Sequence, residues 1–464
     1  MKKSALFIFF TFLTILAIFS RFAFLEARVL HHDESVNYYF ADKILEEKTF
    51  NYDYTNYHGP LYFFAIALSF IIFNISEFSL RLPAVLFSLL TIALSIFIAS
   101  KNKKFLLAPL FIIISPSILY YSRYSIHESA FIFFTLLALY SLSLIIEKKS
   151  LKYLPLFASS LALLFVTKET AIIVLFISLA IILFNFKTIK EIKIKNNYKI
   201  ILFSISLFII IYIIFFTSFF TNSSGVNDSF KAFSPWVDRG LNEQGHDKPF
   251  IYYATLLLKY EFPLLILALL SLYLAFKGKN TFLRSFAIWF ILIFIIYSLI
   301  PYKTPWLIIN FTLPLAFLAS NTIHALYSKN KALSFIILLA AVIYLSYISI
   351  QTSFINISSP TNDFAYVHTN PEIMRIVEII NQNYKETDKI LVVSQKYWPL
   401  PFYFHGKDIY YLDNEEIKGY PSSSDYKFLI LRERVFNSIP QSDLYTYNKY
   451  NLLDGENLVL AIKK

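Results

Sequence analysis

Long apolar runs recur along this sequence, and no other feature limits its fold so strongly. Ten of them lie at roughly 5–24, 82–100, 105–121, 129–146, 170–186, 200–220, 260–276, 285–300, 307–326 and 333–349. A helix needs about 20 mainly apolar residues to cross a bilayer core, and in lipid each backbone polar group must be satisfied inside the segment. The repeated runs therefore predict a polytopic α-helical membrane protein. The run at 154–166 is shorter, but basic residues precede it and a partner run follows, so it counts as an eleventh span. The first 20 residues pair a basic start with a long apolar stretch and lack a small-residue cleavage site, which reads as a retained first span. Composition agrees, with 57% hydrophobic and 16% charged residues, where soluble domains average roughly 45–50% and about 25%. The absence of cysteine excludes disulfides, thiolate metal sites and a cysteine nucleophile.

Charge parity sets the expected topology. The ambiguous run is 61–75, bounded by His58-Gly59-Pro60 and Ser76-Glu77. If it lies in the interface, the cytoplasmic loops carry 18 Lys/Arg and only two acids, Glu147 and Glu191. If it crosses, 16 of those 18 basic residues face outward, inverting the positive-inside rule. The run is therefore expected to be re-entrant or interfacial, with the N-terminus cytoplasmic and the C-terminus outside. The net charge of +11 divides into +13 for residues 1–350 and −2 for residues 351–464. Its basic clusters serve topology, and a nucleic-acid partner is not expected.

Residues 351–464 change character. Ile373, Ile376, Val377 and Ile380 have helical spacing, while 389–394, 427–431 and 458–462 read as short buried strands. The expected organisation is a transmembrane domain over 1–350 and a small extracytoplasmic α/β domain over 351–464. No internal repeat or low-complexity linker is visible.

The candidate chemistry lies in the first outer loop, about 25–81, which is far longer than a connector needs. It reads His31-His32-Asp33-Glu34-Ser35, then an amphipathic stretch at 36–47, then Asp53, then His58-Gly59-Pro60-Leu61. Asp33 or Glu34 could serve as a general base. In extended chain the two point to opposite sides, so one would face a substrate and the other a neighbour or a metal. A solvated acidic loop answering Arg28, Lys43 and Lys48 is the plainer alternative. Three outer corners each carry one cation: Arg123 with His127 and Glu128, Lys168 with Glu169, and Lys303 between Pro301 and Pro305. Such cations could hold the phosphate of an anionic lipid. Interfacial anchoring is the competing reading, and it fits Tyr302 and Trp306 better.

These motifs resemble the GT-C class of membrane glycosyltransferases, in particular the protein O-mannosyltransferase and aminoarabinose transferase group. The resemblance rests on Asp33-Glu34 after a histidine, Asp53, His58-Gly59-Pro60-Leu61 in place of the group's His-Pro-Pro-Leu, and Ser79-Leu80-Arg81-Leu82-Pro83. With Pro301-Tyr302-Lys303-Thr304-Pro305-Trp306 and Trp398-Pro399-Leu400-Pro401, the chain is similar to a prokaryotic, often archaeal, flippase-activity-associated subfamily. The resemblance implies interfacial helices in the first loop, a polyprenyl- or dolichyl-phosphate-linked sugar donor and inverting hexosyl or pentosyl transfer. It places the catalytic base at Asp33, with Glu34 beside it. His31, His32, Asp53, His58, Arg123, His127, Glu128, Lys168, Glu169 and Lys303 become the expected substrate-binding set. The acceptor would be a glycan, a lipid or a protein. Whether His31, His32, Asp33 and His58 gather a divalent cation stays open. The rival reading is a transporter, a flippase or a flippase-associated accessory protein for lipid-linked sugars. The span interiors lack the midplane ionisable residues such a carrier would use.

Overall fold

The computed structural model describes residues 3–56, 58–192, 197–241, 246–278, 280–394, 397–412, 425–438, 442–451 and 457–464. The chain divides into two units. A helical unit comprises Met1–Leu25, Lys43–Ile357 and Thr361–Phe364, and a mixed unit comprises Glu26–Asp42, Ser358–Pro360 and Ala365–Lys464. The start of the first loop falls with the C-terminal unit rather than with the spans.

The principal helices are α1 (Lys3–Phe22), α2 (His32–Glu47), α3 (Leu61–Phe73), α4 (Glu77–Lys101), α5 (Ala108–Ile114), α6 (Pro116–Tyr121), α7 (Glu128–Lys148) and α8 (Leu154–Phe165). They continue as α9 (Ala171–Phe184), α10 (Tyr198–Phe216), α11 (Tyr252–Tyr260), α12 (Phe262–Lys277), α13 (Thr281–Leu299), α14 (Ile309–Lys329) and α15 (Lys331–Ile350). Ten of the eleven expected runs fall mainly on a single apolar helix, and 105–121 divides between α5 and α6. Among the described residues only seven are long and apolar enough to span unaided, or eight if α11 and α12 form one bent span. The shortfall comes partly from breaks. The 105–121 run is interrupted at Ser115, whose hydroxyl accepts from the Ile118 N–H and caps α6, with Pro116 in the favourable first position. The 260–276 run is preceded by a 110° bend at Glu261. The 61–75 run forms α3, whose 13 residues rise only about 20 Å, short of the roughly 30 Å core.

Burial sorts the helices. The apolar window of α14 is 89% buried and that of α10 only 11%. Phe203, Ile205, Ile209 and Ile210 of α10 stand exposed on the outside of the unit, as lipid-facing side chains do. Arg81, in the first turns of α4, is fully buried and donates to Glu77 and to the Leu25 carbonyl, pinning α4 to the chain leaving α1.

In the mixed unit, α16 (Ile373–Asn383) packs on a five-stranded sheet of order β2-β1-β3-β5-β4. The strands are β1 (Ile390–Val393), β2 (Ile409–Leu412), β3 (Phe428–Arg432), β4 (Tyr445–Asn451) and β5 (Asn457–Lys463). β1 pairs in parallel with β2 and β3, whereas β5 runs antiparallel to β3 and β4. β1 and β3 are buried along their whole length. Alternate residues therefore feed two cores: Ile390, Val392, Phe428 and Ile430 meet α16, and Leu391, Val393, Leu429 and Leu431 meet Val435 and Phe436. The expected helix and three strands are α16, β1, β3 and β5. The edge strands β2 and β4 carry no buried apolar run, so nothing in the sequence separated them from loop.

Candidate functional site

The adjacent acids Asp33 and Glu34 occupy the first turn of α2 and not the extended chain expected from the sequence. His31 stands at the cap position. The Glu34 carboxylate reaches back to accept the His31 backbone N–H at 3.1 Å, as the third-position acid does in a capping box. It also meets Arg28 at 3.3 Å, and it is wholly buried. His31 is buried too: its Nδ1 accepts the Asp33 N–H at 3.0 Å and its Nε2 contacts the Tyr366 carbonyl at 3.0 Å. Those two contacts describe a neutral ring with its proton on Nε2. Its face stacks on His368, with ring centroids 5.9 Å apart. His32 turns outward with its ring edge-on to Trp398. Between these fixed neighbours the Asp33 side chain keeps 37% of its surface exposed. An acid held this way, beside solvent and with its backbone positioned by His31, is free to accept a proton from a substrate.

A second polar cluster lies in the helical unit. Lys168, in the turn between α8 and α9, donates to Glu128 at the start of α7 over 2.6 Å, and both are buried. Burial alone would lower the Lys168 ammonium, but Glu128 and Glu169 outweigh it and hold the group above its usual range. Glu169, equally buried, meets Nδ1 of His58 at 3.2 Å, while His58 keeps 28% of its side chain exposed. His127 lies against His58 and Tyr62, with ring centroids 4.7 and 4.8 Å away. Burial pushes its imidazole well below the usual range, and the nearby His58 and Lys168 add to the shift. The segment carrying His58 is tied to the α8–α9 turn by Gly59 N–H to the Thr167 carbonyl and Leu61 N–H to the Val166 carbonyl. A Cβ at Gly59 would sit 2.3 Å from the Val166 oxygen. Proline there would clash and also remove a donor, which explains His-Gly-Pro-Leu in place of His-Pro-Pro-Leu.

Other sequence candidates have structural partners. Arg123 donates to the carbonyls of Ser353, Ala23 and Phe24 and lies over the Phe354 ring, so it clamps three chain segments. The Lys303 ammonium is buried and donates to the carbonyls of Lys248 and Ile300. Lys168 is ion-paired as described. Backbone carbonyls and a carboxylate inside the fold hold all three. Asp53 accepts from the backbone and hydroxyl of Thr55 and closes a local turn. Among the described residues no group of three or more His, Asp or Glu is placed to hold a metal.

Sequence reasoning missed an apolar groove of about 610 Å³ lined by Ile44, Leu61, Phe64, Leu68, Phe87 and Phe215, with the exposed Lys48 at its edge. The signal was present in the amphipathic 36–47 stretch followed by a lone lysine. The missing information was that α2, α3 and the end of α10 converge.

With the geometry described, comparison with known proteins shows what the chain resembles. Residues 57–215 match the family model "Dolichyl-phosphate-mannose-protein mannosyltransferase". No curated protein matches the sequence as a whole. In fold the chain is similar to apo ArnT from Cupriavidus metallidurans, at TM-score 0.73 and 13% identity, covering 98% of this chain and 97% of that one. The same protein bound to undecaprenyl phosphate matches at TM-score 0.69, also at 13% identity, over 98% of both chains. The archaeal oligosaccharyltransferase AglB from Archaeoglobus fulgidus, in complex with an inhibitory peptide and a dolichol-phosphate, matches at TM-score 0.64 and 13% identity over 98% of this chain and 74% of that one. The GT-C resemblance drawn from the motifs therefore extends to the fold over nearly the full length, in a multi-pass membrane protein.

Proposed function

We propose that this chain is an inverting glycosyltransferase that moves a hexosyl or pentosyl group from a polyprenyl- or dolichyl-phosphate carrier to an acceptor hydroxyl at the outer membrane face. The observation that carries this reading is Asp33: an exposed carboxylate set on a helix turn whose other polar members, His31 and Glu34, are buried and bonded. The acceptor oxygen attacks the anomeric carbon as the bond from that carbon to the phosphate oxygen breaks. The electron pair leaves with the lipid phosphate, and the hydroxyl proton passes to Asp33. The groove beside Lys48 suits an isoprenoid chain, because its lining is apolar and its single cation stands at the rim. His58 is the partly exposed member of its cluster, and its Nδ1 meets the buried Glu169 carboxylate at 3.2 Å. The lipids named for ArnT and AglB, undecaprenyl phosphate and dolichol-phosphate, are of the class this groove would take.

The deciding experiment incubates the purified protein with radiolabelled polyprenyl-phosphate sugars and follows release of the lipid phosphate. Transfer by the wild type and its loss in Asp33→Asn support the reading. Equal turnover in both proteins removes Asp33 as the base. The orientation proposed is cytoplasmic for position 102 and external for position 362. Cysteines introduced there, in a chain with none of its own, report it: a membrane-impermeant maleimide should label position 362 in intact cells, and labelling of position 102 reverses the assignment.

A further inference from the structure

Glu261 lies at the 110° bend between α11 and α12 and has no exposed surface. Its Oε1 accepts three hydrogen bonds, from Ser115 Oγ at 2.7 Å, Ser117 Oγ at 2.6 Å and the Ser117 N–H at 2.9 Å. Ser115 and Ser117 flank Pro116, where α5 gives way to α6. One carboxylate oxygen therefore joins two interrupted helices. On α14, Thr312 Oγ1 stands 3.0 Å from Ser117 Oγ, and the two serine hydroxyl oxygens are 3.4 Å apart. The second carboxylate oxygen, Oε2, has no partner among the described residues.

Three donors converging on one oxygen favour the ionised carboxylate while burial opposes it, and among the described residues no cation pairs with it. The charged and titratable side chains on the surrounding elements have other partners. Arg21 donates to Ser20 and to the carbonyls of Ile112 and Ile113. Lys259 and Tyr260 both bond Asp363, and Tyr344 donates to the Lys259 carbonyl. A buried, unpaired carboxylate is costly and is relieved by taking up a positive charge. The groups around it are a carboxylate and three hydroxyls. These are oxygen ligands only, of the kind hard cations take.

We propose that Glu261, with Ser115, Ser117 and Thr312, binds one small monovalent cation, sodium or a proton, and that this cation holds the two helix breaks together. The proposal is independent of the transferase reading, and Asp33 takes no part in it. The test is thermal unfolding of the full chain in detergent, in NaCl and in KCl at equal ionic strength, for wild type and Glu261→Gln. Infrared spectra of the same samples are recorded alongside. The glutamine keeps an oxygen for the two serines and removes only the charge. With sodium as occupant, the wild-type Tm climbs with NaCl and not with KCl, and Glu261→Gln loses the response. With a proton as occupant there is no sodium response, and the wild type shows a protonated-carboxyl C=O band that is missing from Glu261→Gln. Thr312→Val is the second variant should the glutamine fail to fold: it weakens the sodium response and leaves the carboxyl band intact. A wild type with neither response, or responses that survive in Glu261→Gln, overturns the proposal.

Discussion

At the start of α2, Glu34 and His31 are buried and bonded while the Asp33 carboxylate between them keeps contact with solvent. In the helical unit, Lys168, Glu128 and Glu169 are all buried, and each has an ionisable partner. The contrast follows from surroundings. Inside a helical bundle an unpaired charge is too costly to keep, so corner charges become internal ties. At a helix start a carboxylate can keep contact with water, as Asp33 does 4.0 Å from His31 Nδ1. Charge at these corners between helices is held by partners inside the fold.

The sharpest way to break the comparison is to treat the two adjacent acids alike. Asp33→Asn should lower turnover by about 10²–10⁴-fold, the range for a positioned base, with thermal stability unchanged. Glu34→Gln should do the opposite: it keeps an oxygen for the His31 N–H but leaves the buried Arg28 without its carboxylate, costing about 3–5 kcal/mol and reducing turnover only mildly. If Asp33→Asn unfolds the protein, or Glu34→Gln alone abolishes transfer, the division of roles between them is wrong.

A slightly smaller effect is expected in the buried cluster. Lys168→Met leaves Glu128 and Glu169 without their cation and should cost about 3–5 kcal/mol of stability. Adding Glu128→Gln should recover much of that loss in denaturant or thermal unfolding. A neutral Lys168→Met would mean that the pair is open to solvent, like Asp33. The smallest effect concerns Lys48, which is exposed like Asp33 but borders the apolar groove. Lys48→Ala should weaken lipid-donor binding by about 1.5–3 kcal/mol, the worth of a hydrogen bond to a charged group, and leave stability alone. Unchanged donor affinity, measured by binding of a labelled polyprenyl phosphate, would exclude Lys48 as a phosphate contact.

Much of the site was legible in part. The His31–Glu34 motif and His58-Gly59-Pro60-Leu61 stood out because a long polar loop between apolar runs needs a reason. Their conformations were not legible: Asp33 and Glu34 were expected on opposite sides of an extended chain and instead follow each other around a helix turn. The three cations at Arg123, Lys168 and Lys303 looked equivalent in sequence. They differ only in what lies next to them, whether carbonyls of Ser353 and Ala23, a buried glutamate, or carbonyls of Lys248 and Ile300. Glu261 was visible as an acid near the end of an apolar run. Its two serine partners lie about 145 residues away.

The sequence by itself determined the apolar helices, the membrane-protein class and the strands β1, β3 and β5. These are set by local composition and period, which act over a few neighbouring residues. Tertiary structure alone decided where helices break and join, as at Ser115 and Glu261, which charges are paired and which stay open, and which surfaces enclose the groove beside Lys48. The physical reason is the range of the interactions. Hydrophobic period is a property of one segment, whereas pairing a buried charge or lining a groove needs side chains that only the folded chain brings together.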